Sequence, residues 1–286
     1  MRQFIAPSEP DPRGRITVTG KDFRYLRNVL RLQPDDTLDV RLSGGELCRM
    51  RVAEVKAAGS ALVLERCGAR SEGARATAET GVPAGAIEGA DGGVRAPLWL
   101  FQFMPKAQKM DLIVRQAAET GVAVIVPVRG ARSQKSDCIE RRERWQRIVR
   151  EARQQSGSPV ETTVAEPLDL DGALRLWSGR CGARPCAVAL YEESAGCLPL
   201  HSCAARMCAS GTSEKPTAPC TAAALAVGCE GGLSPDEIDV LQRAGFAPVH
   251  FDTNILRTET AALYGIAALQ TILTEYTSWR QSGFPC

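Results

Sequence analysis

The chain has 286 residues, 44% apolar and 24% charged, with a formal net charge of +2. That is ordinary for a globular protein and enough for one large domain or two smaller ones, each with a buried core. A helical membrane span is not expected. No run approaches the roughly 18 apolar residues a span needs, and the longest, residues 122–128, is strand-sized.

The opening Met1-Arg2-Gln3-Phe4-Ile5-Ala6-Pro7-Ser8 has no apolar core of signal-peptide length, so the expectation is a cytoplasmic protein. Eleven cysteines without such a signal then read as reduced thiols. Five of them (Cys181, Cys186, Cys197, Cys203 and Cys208) fall near His201. Their spacing is irregular and contains no C-x2-C pair, so they read as unpaired loop cysteines and no metal is expected.

Residues 1–66 read as a small β-rich unit. Extended pieces at 15–19, 37–42, 47–55 and 61–65 are separated by turns such as Pro34-Asp35-Asp36 and Ser43-Gly44-Gly45, with a short helix at 21–30. Residues 67–96 are rich in Gly, Ala, Glu and Arg and lack a period, which marks a flexible linker or insertion. From residue 97 strands and helices alternate. Strands are expected at 98–104, 122–128, 186–191, 222–227 and 247–251, and helices at 106–120, 139–155, 234–244 and 258–277. Uniformly apolar strands spaced by helices predict an α/β domain over 97–286, its parallel sheet covered on both faces. An irregular insertion rich in Cys, Ser, Thr and Pro interrupts it at 195–221. Residues 129–153 carry nine Lys or Arg against four Asp or Glu. That fits either an anionic partner along one face or a solvated charged helix.

Two polar elements come directly after predicted strands, where open parallel sheets bind ligands. The first is Gly228-Cys229-Glu230-Gly231-Gly232. Its glycines allow close backbone approach to a ligand, or serve only a tight turn. Ser234 and Glu237 form a capping box with Pro235 at the first helical position, so the loop runs into a firmly started helix. Neither a G-x-G-x-x-G nor a Walker-type phosphate motif is present there. The second is Ile255-Leu256-Arg257-Thr258-Glu259-Thr260-Ala261. Thr258 can cap the helix and Glu259 suits its positive end, but Arg257 is disfavoured there unless it meets an anion.

These two elements, about 25 residues apart, resemble the C-terminal signature of the ribosomal RNA small subunit methyltransferase E family, an I-G-P-E-G-G loop followed by I-L-R-T-E-T-A. Val29-Leu30-Arg31-Leu32, Gln116-Ala117-Ala118-Glu119-Thr120-Gly121-Val122, Arg132-Ser133, and Arg144-Trp145 through Gln155-Ser156 are similar to further family blocks. The resemblance implies a PUA-like β-barrel that binds RNA, then a SPOUT α/β domain with a C-terminal trefoil knot, working as a homodimer. It implies methyl transfer from S-adenosylmethionine to N3 of a uridine in 16S rRNA, within the small ribosomal subunit. The donor would be held by Gly228, Cys229, Gly231, Gly232, Leu256, Thr258, Thr260 and Ala261. Catalysis would fall to Arg257, stabilising the deprotonated uracil or clamping a phosphate, with Glu230 or Glu259 as base. Arg2, Arg24, Arg27, Arg31 and Arg132 are the candidates for RNA contact. Cys229 stands where the family has proline, Arg115 where it has lysine, and Ser158 where it commonly has arginine. A non-catalytic RNA-binding protein on the same scaffold is the competing reading.

Overall fold

The computed structural model describes residues 3–56, 60–68, 87–88, 94–133, 139–194, 196–208 and 220–281. Arg2, most of the expected linker at 67–96, and residues 195 and 209–219 of the expected insertion lie outside them. The chain divides into two compact units: residues 1–81 with 154–157, and residues 82–153 with 158–286.

The first unit contains β1 (Phe4–Ile5), β2 (Arg15–Thr19), α1 (Gly20–Arg24), β3 (Thr37–Arg41), β4 (Leu47–Lys56) and β5 (Ala61–Gly68). They form one sheet in the order β1-β3-β4-β5-β2, antiparallel except for the β1–β3 pair. Alternation along β2 and β4 turns Ile16, Val18, Cys48, Met50 and Val52 onto one face. There they pack with Phe4, Leu26, Val40, Leu62 and Leu64. The register shifts between Arg49 and Met50 and between Val52 and Glu54 bend β4, which curls the sheet around that core.

The helix expected at 21–30 departs from α geometry halfway. After α1 the chain makes a π-helical turn, Tyr25–Val29, closed by the Leu30 N–H on Tyr25 O at 3.0 Å. Arg31 then takes a left-handed φ of 57°. The wider turn places Leu26 in the core, fully buried, while Val29 stays exposed.

The second unit begins with the small ladder β6 (Ile87–Glu88) and β7 (Val94–Arg95). Next come β8 (Leu98–Phe103), α2 (Ala107–Glu119), β9 (Val124–Arg129), α3 (Ile139–Ser156), β10 (Thr163–Val164), β11 (Leu168–Asp169) and α4 (Leu170–Ser178). The remainder is β12 (Pro185–Leu190), α5 (Leu200–Cys208), β13 (Ala222–Val227), α6 (Pro235–Arg243), β14 (Ala247–Val249) and α7 (Thr258–Gln281). The sheet runs β10-β9-β8-β13-β12-β14, with β11 also on β9, and every pairing is parallel.

Strands β8 and β13 are buried along their whole length, as a sheet covered on both faces requires. On one face Leu100, Leu225 and Val188 pack with Ile113, Val114, Trp145, Ile148, Ile266 and Leu269 from α2, α3 and α7. On the other, Trp99, Phe101, Trp177 and Phe246 form a ring cluster with centroids 5.5–6.3 Å apart, closed by Ile238 and Leu241 of α6. Burying such side chains stabilises by about 1.5–3 kcal/mol each, so these two layers dominate the unit's stability.

Two expectations need correction. The insertion at 195–221 is not irregular throughout, because α5 occupies Leu200–Cys208 and buries Cys203 and Ala204 against the first layer. The nearby cysteines are therefore not simply loop residues. Cys186 lies in buried β12 and Cys203 on α5, and neither is in a disulfide. Helix α4 is an addition that the sequence pattern does not announce, started by Asp169 Oδ1 accepting the Gly172 N–H at 2.8 Å.

Candidate active site

Three parallel neighbours, β14, β12 and β13, end on the same edge of the sheet. The loops that leave them meet around a cavity of about 500 Å3. Tyr191 and Glu192 come from the end of β12, the 228–232 loop from β13, and His250 and Phe251 from β14. Lys109 of α2 and the start of α7 complete the wall. His250 Nδ1 donates to Tyr191 O at 3.1 Å, since a carbonyl can only accept, and so ties two of the loops together.

The glycine-rich loop is a tight turn in which the Gly232 N–H donates to Cys229 O at 3.0 Å. A Cβ at Gly228 would stand 2.5–2.9 Å from three backbone atoms of Gly232. At Gly232, φ is +70°, and a Cβ there would collide with the Glu192 carboxylate. Both glycines are therefore required by geometry as well as leaving backbone uncovered at the cavity. Cys229, in the family's proline position, is buried, with its thiol donating to Arg132 O at 3.1 Å.

The start of α6 anchors this turn. The capping box is present in full: Glu237 N–H donates to Ser234 Oγ at 3.2 Å, and Ser234 N–H to Glu237 Oε2 at 2.7 Å. The other carboxylate oxygen accepts the Ala131 N–H, also at 2.7 Å, so the turn after β9 is fastened to the start of α6. The neighbouring Arg132 donates to the carbonyls of Gly231 and Leu233 and lies 3.8 Å from Glu192. This RNA-contact candidate thus also braces the loop.

The second predicted element lies against the first. Thr258 does not cap its helix with its hydroxyl. The hydroxyl is buried and donates to Gly228 O at 2.6 Å. Beneath both sits Gln102 of β8, which sequence reasoning missed although it is the one polar residue in an otherwise apolar strand. Its Nε2 lies 3.1 Å from Thr258 Oγ1 and 3.3 Å from the carbonyls of Val227 and Gly228.

Gly228, Cys229, Gly231, Gly232, Leu256, Thr258 and Ala261 all line the cavity, whereas Thr260 is exposed and does not. Arg257 also lines it. Its exposed guanidinium has no hydrogen bond or ion pair among the described residues. Glu230 and Glu259 converge instead on Lys109, whose Nζ is 3.8 Å from Glu230 and 3.1 Å from Glu259. Glu230 also accepts the Lys106 N–H at 3.1 Å, capping α2 from outside the helix. Burial acts to raise the Glu259 pKa. Its own backbone N–H, Lys109 and Arg257 outweigh that and hold the carboxyl below its usual range. A carboxylate whose pKa is lowered in this way is the weaker proton acceptor.

In the first unit Arg24 and Arg31 are exposed, while Arg27 is turned back onto Leu32 O and Gln33. Ser158, in the family's arginine position, is buried with its Oγ accepting the Val160 N–H. Among the described residues no helix is long and apolar enough to cross a membrane, and no three His, Cys, Asp or Glu side chains converge as a metal site would need.

A parallel α/β sheet with a glycine turn, an exposed arginine and paired carboxylates over its strand ends is the class of arrangement at which open sheets take small ligands. The class is narrower than that. Residues 94–270 match the RNA methyltransferase domain model, and the chain belongs to that family. It is 28% identical to the ribosomal RNA small subunit methyltransferase E of Synechocystis, over 95% of this chain and 78% of that protein. It is 26% identical to the protein of the same name from Mycobacterium bovis, over 99% and 95%. Among solved structures it is similar to the ribosomal RNA small subunit methyltransferase E of Neisseria gonorrhoeae bound to S-adenosyl methionine. That match has a TM-score of 0.71 and 25% identity, and covers 95% of this chain and 98% of that one.

Proposed function

We propose that this chain methylates N3 of a uridine in 16S rRNA, with S-adenosylmethionine as donor, as a homodimer acting on the small ribosomal subunit. In this reading residues 1–66 are a PUA-like RNA-binding barrel, 67–96 a linker, and 97–286 a SPOUT domain whose C-terminal loops are knotted. The observation that carries it is the convergence of the 228–232 turn and the 256–261 segment on one cavity at the strand ends. The cavity suits the donor. Its size is right for a nucleoside, Leu190, Val249 and Leu256 offer apolar wall, and a Cβ-free backbone stretch lies beside the Glu192 and Glu230 carboxylates.

When bound, the donor supplies an electrophilic methyl group on a sulfonium. The protein's part is to bind, orient and stabilise charge. The backbone of Gly228, Cys229, Gly231 and Gly232, with Leu256, Thr258 and Ala261, holds the donor. Arg257 supplies positive charge for the uracil anion left when N3 loses its proton. The lowered pKa of Glu259, beside Lys109, favours this electrostatic role of Arg257 over Glu259 as base. Arg24, Arg27, Arg31 and Arg132 serve the RNA backbone.

The test is methyl transfer to small-subunit RNA with labelled donor, then digestion and identification of the methylated nucleoside. N3-methyluridine is expected, with Arg257→Ala slower by about 100-fold or more, the size of effect found when a charge-stabilising donor is removed. A different methylated base would overturn the substrate assignment. Donor binding without transfer to any RNA would support the non-catalytic reading.

A further inference from the structure

The site contains a polar group for which donor binding, charge stabilisation and RNA contact leave no role. Gln102 is fully buried and does not line the cavity, yet its amide nitrogen faces four acceptors. They are Phe103 O at 3.0 Å, Thr258 Oγ1 at 3.1 Å, and Val227 O and Gly228 O at 3.3 Å. This surrounding fixes the amide's orientation, because exchanging its nitrogen and oxygen would set an acceptor among acceptors. The Thr258 hydroxyl gives its one hydrogen to Gly228 O, so its oxygen is free to accept from Gln102. The amide oxygen has no partner among the described residues. A buried acceptor left in that state costs stability, so the side chain is not explained by packing alone.

We propose that Gln102 is a positioning residue for the donor site, holding the 228–232 turn and the first residue of α7 in one arrangement. The inference rests on the donor-site reading above. The physical need is plain at Gly228. Without a Cβ, Gly228 has no side chain of its own to fix that peptide plane. Two donors, the Gln102 amide and the Thr258 hydroxyl, engage its carbonyl from below. The same amide, its two N–H groups shared among four acceptors, also lies within reach of Val227 O and Thr258 Oγ1, so the last residue of β13, the loop and the helix start surround a single anchor. These partners lie 125, 126 and 156 residues away in sequence, so the anchor joins segments that only the tertiary fold brings together.

The test uses the full chain, with calorimetric titration of S-adenosylmethionine, steady-state methyl transfer and thermal unfolding. Gln102→Met keeps the size and removes both N–H groups. Its Kd and KM for the donor should rise about tenfold, with kcat at saturating donor within about threefold of wild type. A role in stability alone would lower Tm and leave the KM of the folded protein unchanged. Thr258→Val removes the other donor to Gly228 and should weaken donor binding by a similar factor. The double variant should lose less than the product of the two. Wild-type donor affinity in Thr258→Val, or in a folded Gln102→Met, overturns the inference. A wild-type protein that binds no donor at millimolar concentration overturns the donor-site reading and this inference with it.

Discussion

Glu237 offers the sharpest test of how the site is held together. It is only 8% exposed, and its two oxygens accept the N–H groups of Ser234 and Ala131, each at 2.7 Å. Glu237→Ala leaves both donors without a partner. A buried donor orphaned in this way costs about 1–3 kcal/mol, and water reaching the truncated site recovers part of that, so a loss of about 2–4 kcal/mol is expected. Each kcal/mol shifts Tm by about 2–4 °C in a domain of this size, which gives a fall of about 4–16 °C. Glu237→Gln retains one acceptor and should lose about half as much. The damage should also travel. Ala131 precedes Arg132, whose guanidinium braces the carbonyls of Gly231 and Leu233. Hydrogen exchange should therefore quicken across 228–233 in the alanine variant at temperatures where the protein remains folded. Chemical and thermal unfolding with peptide-resolved exchange measure both effects. A stability change below about 0.5 kcal/mol would refute the reasoning. So would full destabilisation with unchanged exchange at 228–233.

Three further outcomes are expected. Because the folded-state pKa of Glu259 lies below its ordinary value of 4.5, its contribution to stability is present above that pH and is lost as the pH falls through the folded value. Lys109→Met should shrink this acid dependence, and unfolding curves collected between neutral and strongly acid pH would detect it; identical pH profiles would count against the pair. Gly232→Ala should lower both donor affinity and Tm, since a φ of +70° strains any L side chain and the new methyl group displaces the Glu192 carboxylate at the cavity wall; titration alongside calorimetry reads both, and wild-type values would count against this geometry. Iodoacetamide at neutral pH should label exposed Cys67 well before buried Cys229, read by peptide mass spectrometry; equal rates would contradict the packing around Cys229.

Much of the second unit was legible because its strands are continuously apolar. Residues 222–227 were bounded correctly, and the box at Ser234 and Glu237 announced α6. The shorter pieces were not legible. Strands of two residues such as β10 and β11 carry no period, and nine-residue α4 has a glycine in its first turn. Helix α5 was hidden by Cys, Ser and His in its first turns. The two ligand-facing segments were visible from glycine spacing and from an arginine at a helix start. Their mutual attachment was not, since the Thr258–Gly228 bond spans 30 residues and Gln102 reaches Thr258 across 156. Arg132 shows the same limit. Its charge reads as an RNA contact, while the fold also gives its guanidinium two carbonyls of the glycine turn.

Cys229 carries a consequence of a different kind. A pocket that holds an alkylating agent endangers any nucleophile in its own wall, and here a sulfur lies inside the very loop assigned to the donor. Burial, aided by the charge of Glu230, pushes the Cys229 thiol above its ordinary pKa, and its hydrogen points at Arg132 O. Since only the thiolate attacks, a thiol kept protonated there would, under the proposed donor site, keep that sulfur from taking the methyl group. Proline in that position needs no such protection. In this chain, anything that loosened the turn enough to wet Cys229 would do more than weaken the proposed donor binding, because it would expose a nucleophile in the loop proposed to hold the methyl donor.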